Sequence, residues 1–188
     1  MAQRIVFLIS GIVVLVLISG GFFYWQQNQA DVRELNKTLP AGVRVAKSLI
    51  GNEYKVVNKI DGYDFKVPME WRGIKEVEYI SEREESGFRG TSINIEGLEG
   101  GARGLGVDRF KIERNPNLID WAKNMFSTVG LDGDFKSETI KNFEVIKTQE
   151  NLHLVGMYMY FFKKDSAIYS ITNGSEEFIR YIITNGQW

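Results

Sequence analysis

The sequence predicts an α+β fold: an antiparallel β-sheet flanked by helices and preceded by one N-terminal transmembrane helix. Three observations carry this expectation. Residues 5–25, IVFLISGIVVLVLISGGFFYW, form an apolar run without a charge. Beyond it, strand signals come in successive groups separated by single helices, a segregated order that favours an antiparallel sheet over a doubly wound parallel one. Two later segments, near residues 118–129 and 176–185, repeat their apolar residues at helical spacing.

The apolar run holds 21 residues, and at about 1.5 Å per residue a helix of that length spans a hydrocarbon core of roughly 30 Å. Phe22-Phe23-Tyr24-Trp25 closes it with an aromatic cluster suited to the bilayer interface. Arg4 is the one charged side chain before it, which places the amino end in the cytoplasm and the remainder outside. The competing reading is a cleavable secretory signal, with Ser19-Gly20-Gly21 offering small residues to a peptidase. The run is longer than the roughly 7–15 apolar residues of such signals, so the anchor is the reading adopted. A pilin-type start is disfavoured because no glycine followed by glutamate lies in the run. Residues 26–41 are polar, end near Pro40 and read as a partly helical stalk. The expected organisation is a cytoplasmic tail (1–4), a transmembrane anchor (5–25), a stalk or linker (26–41) and one extracytoplasmic domain (42–188).

Roughly 150 residues beyond the anchor can bury about 70% of their unfolded surface, enough for a single core. Lys and Arg number 23 against 24 Asp and Glu, so no basic field exists to attract nucleic acid, which is excluded as a partner class. With no cysteine, disulfides, thiol catalysis and lipid attachment through cysteine are excluded as well.

Strands are expected at 43–47, 54–60 and 63–67, the last two joined by Asp61-Gly62 as a type I′ hairpin. Pro68 ends that hairpin, and Met69-Glu70-Trp71 turns away with an aromatic to cover the core. Further strands are expected at 77–80, 90–96 and 106–112. Between the last two, the glycine-rich stretch 97–106 with Arg103 matches neither G-x-G-x-x-G nor G-x-x-x-x-G-K-[ST] and precedes a strand, so it reads as a hairpin loop, with a ligand loop as the lesser reading.

Asn115-Pro116-Asn117 supplies a cap and an N1-proline context for a helix whose Leu118, Trp121, Ala122, Met125, Phe126 and Val129 form one face, stopped by Gly130. Three antiparallel strands, 143–149, 152–162 and 167–172, follow, the last two turning at residues 163–166. Met157, Met159 and Phe161 alternate with Tyr158, Tyr160 and Phe162, the pattern of a central strand covered on both faces. Ser175 caps a final helix with Glu176 and Glu177 in its first turn and Phe178, Ile179, Ile182 and Ile183 on its apolar face.

A search for catalytic groups returns weak candidates. His153 is the single histidine and reads as a structural residue at a strand start rather than a general base. No G-x-S-x-G elbow is present, and Ser175 is explained as a cap. One His and no Cys leave zinc without its usual ligands. Glu82, Glu84 and Glu85 read as a solvated loop interrupted by Arg83, and Asp132, Asp134 and Glu138 as a turn that lacks the EF-hand order. No catalytic, cofactor-binding or metal-binding residue is assigned, and no cofactor is expected.

The segment 61–71, DGYDFKVPMEW, resembles the aromatic-x-Phe-x-x-Pro-x-x-Trp opening of PsbP-like domains, the family of an extrinsic photosystem protein and its non-photosynthetic bacterial relatives. Tyr169-Ser170-Ile171-Thr172 and the following 178–183 are similar to that family's last strand and closing helix, so the resemblance covers about residues 54–188. It implies an α-β-α sandwich around an antiparallel sheet, outside the cytoplasmic membrane, in a non-catalytic binding or assembly factor. It transfers no functional residue, and a non-photosynthetic relative is the closer comparison. Many bacterial members are lipoproteins, whereas this chain has no cysteine to carry a lipid.

The functional expectation is therefore a single-pass membrane protein, anchored through residues 5–25, whose extracytoplasmic domain binds or assembles an unidentified protein partner without catalysis. The alternative is an extracytoplasmic carboxylate-dependent hydrolase acting on cell-envelope material through Glu82, Glu84, Asp132 and Asp134. A sensor using the glycine loop is a third, weaker reading.

Overall fold

The computed structural model describes residues 14–16, 18–26, 29–48, 53–68, 73–85, 87–97, 104–128, 130–131, 133–148 and 157–188. After α1 (Ala30–Asn36), a first sheet pairs β1 (Val43–Lys47), β2 (Glu53–Asn58) and β3 (Tyr63–Pro68) in that order. Next come β4 (Ile74–Glu85), β5 (Phe88–Gly97) and β6 (Leu105–Lys111), then α2 (Leu118–Thr128). The chain finishes with β7 (Phe135–Ile140), β8 (Phe143–Thr148), β9 (Tyr158–Lys164), β10 (Ala167–Asn173) and α3 (Glu176–Asn185). These last seven strands form one antiparallel sheet in the order β4-β5-β6-β10-β9-β8-β7. The α+β class with antiparallel sheets is as the sequence predicts.

The large sheet is buried on both faces, as the alternation along β9 predicts. Phe161 joins Phe110, Ile146 and Ile168 beneath α2, whose Trp121, Met125 and Phe126 pack on them. Tyr160 and Phe162 point the other way, into a core shared with the three-stranded sheet and with Ile179, Ile182 and Ile183 of α3. Full burial of a side chain the size of Phe or Ile is worth about 1.5–3 kcal/mol, so each face is a substantial part of the stability. One side of the sheet therefore carries α2, and the other carries α3 and α1 together with a second sheet.

Both helices stop and start as their sequences dictate. Asn117 Oδ1 accepts from the backbone N–H of Ile119 at 2.9 Å and of Asp120 at 3.2 Å, which makes Asn117 the cap and leaves Pro116 outside the helix instead of at N1. Gly130, at φ +73°, ends α2 while Leu131 N–H reaches back to Phe126 O at 3.0 Å, the 6→1 bond of a Schellman ending. Ser175 Oγ accepts from Phe178 N–H at 3.3 Å, the cap expected for α3.

Several expectations need correction. The β2–β3 connection holds four residues, 59–62, because Asn58 pairs with Tyr63, and only Gly62 takes a positive φ (+80°). A type I′ turn at Asp61-Gly62 would swing Asp61 outward; here its carboxylate turns in to accept from Asn58 Nδ2 at 2.7 Å. The acidic stretch 81–85 is not a loop but the far half of β4, paired to β5 as far as Glu85 and Phe88. Glu138 belongs to β7, a strand the sequence reading assigned to a turn, and the strand expected from residue 152 is seen from Tyr158, with 149–156 outside the described residues.

Part of segment 26–41, expected as a stalk or linker, packs against the domain. Val32 of α1 is buried in the core, and the side-chain amide of Asn36 pairs with β1 like an extra strand residue. Its Nδ2 donates to Val45 O at 2.8 Å and its Oδ1 accepts from Val45 N–H at 2.7 Å. Gln29 Nε2 donates to Lys47 O at 3.1 Å. These residues belong to the folded unit.

Among the described residues no helix is long and apolar enough to cross a membrane. Residues 14–16 and 18–26 of the apolar run are helical, and residues 1–13 and 17 lie outside the described set.

Asn36→Ala removes both partners of Val45 on a half-buried edge, so it should lower stability by about 1–3 kcal/mol. Urea unfolding checks this, and the unfolding slope should stay unchanged because the same surface is exposed.

Candidate functional site

Strand alternation sends Ile93, Ile95 and Val107 into the core shared with the small sheet, so Ser92, Asn94 and Asp108 must face the α2 side. The ladder aligns Ser92 with Asp108 and Asp108 with Ser170, and aligns Asn94 with Gly106 and Gly106 with Thr172. Polar residues from three adjacent central strands thus share one face with the apolar patch beneath α2. Ser92, Asp108 and Ser170 are buried, whereas Asn94, Gly106 and Thr172 are half-buried. The polar stripe opens towards solvent away from the helix.

Arg83 joins this stripe because β4 is bulged. Ile80 pairs with Ser92 but Arg83 pairs with Gly90, so one extra residue lies between them and reverses the alternation. Without it, Arg83 would lie on the face of Val77 and Tyr79, which pack into the other core. With it, Arg83 Nη1 donates to Asp108 Oδ1 at 2.6 Å and to Ser92 Oγ at 3.2 Å, and Ser92 Oγ donates to Asn94 Oδ1 at 3.4 Å. Gly106 has no side chain, and a Cβ there would lie 3.7 Å from Asn94 Oδ1, so the Asn94 amide lies close over the backbone. The buried Ser170 Oγ has no hydrogen-bond partner among the described residues. Such a group calls for a further partner. The stripe is electrically balanced and rich in donors and acceptors, a surface suited to hydrogen-bonding a neutral polar group.

A second cluster ties α3 to the sheet. Glu176 accepts from Lys147 of β8 and from the Tyr160 hydroxyl of β9, and Glu138 of β7 accepts from Arg180. Arg180 also lies 3.8 Å from Glu176, so its guanidinium spans two carboxylates. The hydrogen bond from Lys147, aided by that from Tyr160, holds the Glu176 carboxyl below the usual value, and burial pushes the Tyr160 hydroxyl up. On the opposite side of the small sheet's contact, Tyr79 Oη donates to Asp61 Oδ2 at 3.2 Å, and desolvation followed by the Asp61 charge pushes the Tyr79 hydroxyl up to about 12.

The candidates from sequence disperse. Glu82 and Glu84 are exposed on β4, Asp134 is exposed beyond α2, and Glu138 is engaged with Arg180. Ser175 is a helix cap. His153, Asp132, Arg103 and Trp71 lie outside the described residues, as does the Glu85 side chain. Residues 97 and 105 end and begin the paired strands β5 and β6, so the glycine-rich stretch spans a hairpin connection, with 98–103 outside the described set. Trp188 is half-buried and stacks on Tyr63 at 5.5 Å between centroids. No group of three or more metal-ligating residues forms among the described residues.

The sequence reading missed both clusters. The strands expected at 90–96 and 106–112 carry no assigned face in that reading, and the alternation of their polar positions was the available signal. The bulge that adds Arg83 had none.

Arg83→Ala leaves the buried Asp108 carboxylate without that guanidinium. Since Arg83 is itself 32% exposed, the loss should be about 2–3 kcal/mol, below the 3–5 of a fully buried pair. The double variant R83A/D108N should recover much of it in a double-mutant cycle read by chemical denaturation. Glu176 has a lowered folded pKa, so its stabilisation is complete above the ordinary value of 4.5 and is lost as pH falls through the folded value. E176Q should show a flatter fall of Tm on acidification below that point than the parent chain. Comparison with protein-family models, curated proteins and solved structures finds no match.

Proposed function

We propose that the protein is a membrane-anchored extracytoplasmic module that binds or assembles a protein partner and performs no catalysis. One observation carries the membrane part. From Val14 to Trp25, eight large apolar or aromatic side chains are exposed, between 40% at Trp25 and 70% at Tyr24. A contiguous apolar surface of this kind needs a cover, and a bilayer matches the uncharged sequence that runs back to residue 5. Ser19 fits the same setting because its hydroxyl is satisfied within the helix, donating to Leu15 O at 2.7 Å. The extracytoplasmic side follows from Arg4.

The binding part is supported by the polar stripe around Asp108, with its hydrogen-bonding groups and balanced charge. An α-β-α sandwich of PsbP-like type belongs to the same proposal: α2 and α3 lie against opposite faces of the large sheet, although the small sheet shares the α3 side. The alternative, a carboxylate-dependent hydrolase of cell-envelope material, would draw on Glu82, Glu84, Asp132 and Asp134. It has less support because Glu82 and Glu84 are exposed on β4 and Asp134 is exposed beyond α2, on separate elements.

The test compares the full chain with L15R/I18R in carbonate-washed membranes. Arg at the centre of a spanning helix costs about 2.5–3.5 kcal/mol per residue, so the parent chain should stay in the membrane pellet and the variant should be released. Release of the parent chain, or retention of both, would refute the anchor. For the partner, mild detergent extraction and crosslinking of the parent chain should recover a stoichiometric protein; its absence counts against the binding role.

A further inference from the structure

We infer that the domain lies directly on the lipid surface with one defined end down: the end at which β1 finishes and β2 begins. This rests on the anchor reading of residues 5–25 and deepens it by naming the surface that meets the bilayer.

Hydrogen bonds at Gln29 tie the apolar helix to the domain. Gln29 N–H donates to Trp25 O and Arg33 N–H to Gln29 O, each at 3.1 Å, with Gln29, at φ −102° and ψ 2°, as the cap of α1. Trp25 belongs to the aromatic collar, while Gln29 is already hydrogen-bonded to Lys47 O of β1. Gln29 thus bonds to Trp25 of the collar through its backbone and to β1 through its side chain, which brings the collar and the folded sheet close together. A domain so close to the headgroups cannot tumble about a tether.

The direction of α1 then selects the end. Its first turn contacts the close of β1, where Asp31 meets Lys47 at 3.4 Å and accepts from Tyr54 Oη at 3.3 Å. Its last residue, Asn36, reaches Val45, and Pro40 O accepts from Val43 N–H at 3.0 Å. Helix α1 and strand β1 therefore run antiparallel. Lys47, Ser48 and Glu53 lie at the anchor end, while Gly42, Lys59 and Ile60 lie at the far end, about 13 Å away along the strand. The far end is also where Lys59 N–H donates to Gly42 O at 2.8 Å, so positions 59 and 42 mark the same level.

The chain has no cysteine, so single cysteines report single positions. Ser48→Cys and Lys59→Cys, each in the full chain, are labelled with a small fluorophore and placed in phosphatidylcholine vesicles doped with a headgroup-spin-labelled lipid. Circular dichroism against the parent chain verifies that each variant is folded. The expected result is quenching at 48 that exceeds quenching at 59 by about twofold or more, given the roughly 13 Å of strand between them. Inserting a flexible Gly-Ser linker after Gln26 should abolish the difference while vesicle binding persists. Vesicle binding with equal quenching at both positions, or with stronger quenching at 59, overturns this inference and leaves the anchor standing. A chain that does not float with the vesicles overturns the anchor and the inference with it.

Discussion

The two sheets are held together by one aromatic cluster, and the rest of the architecture depends on it. Trp188 lies between them, stacking on Tyr63 and Phe65 of β3 and meeting Phe162 and Tyr169 of β9 and β10 edge-on at 5.0 and 5.3 Å. Contacts of this kind are worth about 0.5–1.5 kcal/mol each beyond simple burial. The indole N–H donates to Ile183 O at 3.3 Å, so the ring is also fixed to α3. Gly186 permits this: a Cβ there would lie 2.6 Å from Trp188 Nε1. The small sheet, the large sheet and the last helix therefore meet at a single residue.

Around that joint, the polar groups are placed where apolar packing leaves them room. The Glu176 network closes the α3 side near β7 and β8, and Asp61 pins the β2–β3 connection to Tyr79. Arg83 and Asp108 balance one another on the opposite face. Two clusters that look alike as lists of charged residues thus do different work. One fastens a helix to a sheet, and the other leaves a hydrogen-bonding surface beside α2.

Much of the fold was legible because it rests on short-range chemistry. The face of α2, the Ser175 cap, the Gly130 stop and the two-sided alternation of β9 all follow from spacing and side-chain type. The failures have physical causes. Asp61 departs from the expected turn with its buried carboxylate accepting from Asn58 and from Tyr79, and Tyr79 is a partner distant in sequence. Glu82 and Glu84 look solvated by composition, and they are, but on a strand whose partner β5 lies in sequence beyond them. Arg83 could not be assigned to Asp108 because a bulge leaves no mark in the sequence. The docking of α1 turns on Asn36, whose amide copies a peptide group only when the tertiary fold brings β1 beside it.

That mimicry has a consequence for how the molecule meets copies of itself. A sheet grows by adding a strand to an unsatisfied edge. The small sheet is covered at several points: Asn36 takes both backbone groups of Val45 and Gln29 takes Lys47 O on β1, and on the other side Asp64 of β3 exchanges two backbone bonds with Gln187, at 2.8 and 2.9 Å. The outer strands of the large sheet are β4 and β7, and β4 carries Lys75, Glu76, Glu78, Glu82 and Glu84 along its length. Edge-to-edge fusion is thus opposed by covalently attached substitutes along part of one sheet and by a mainly acidic long edge on the other.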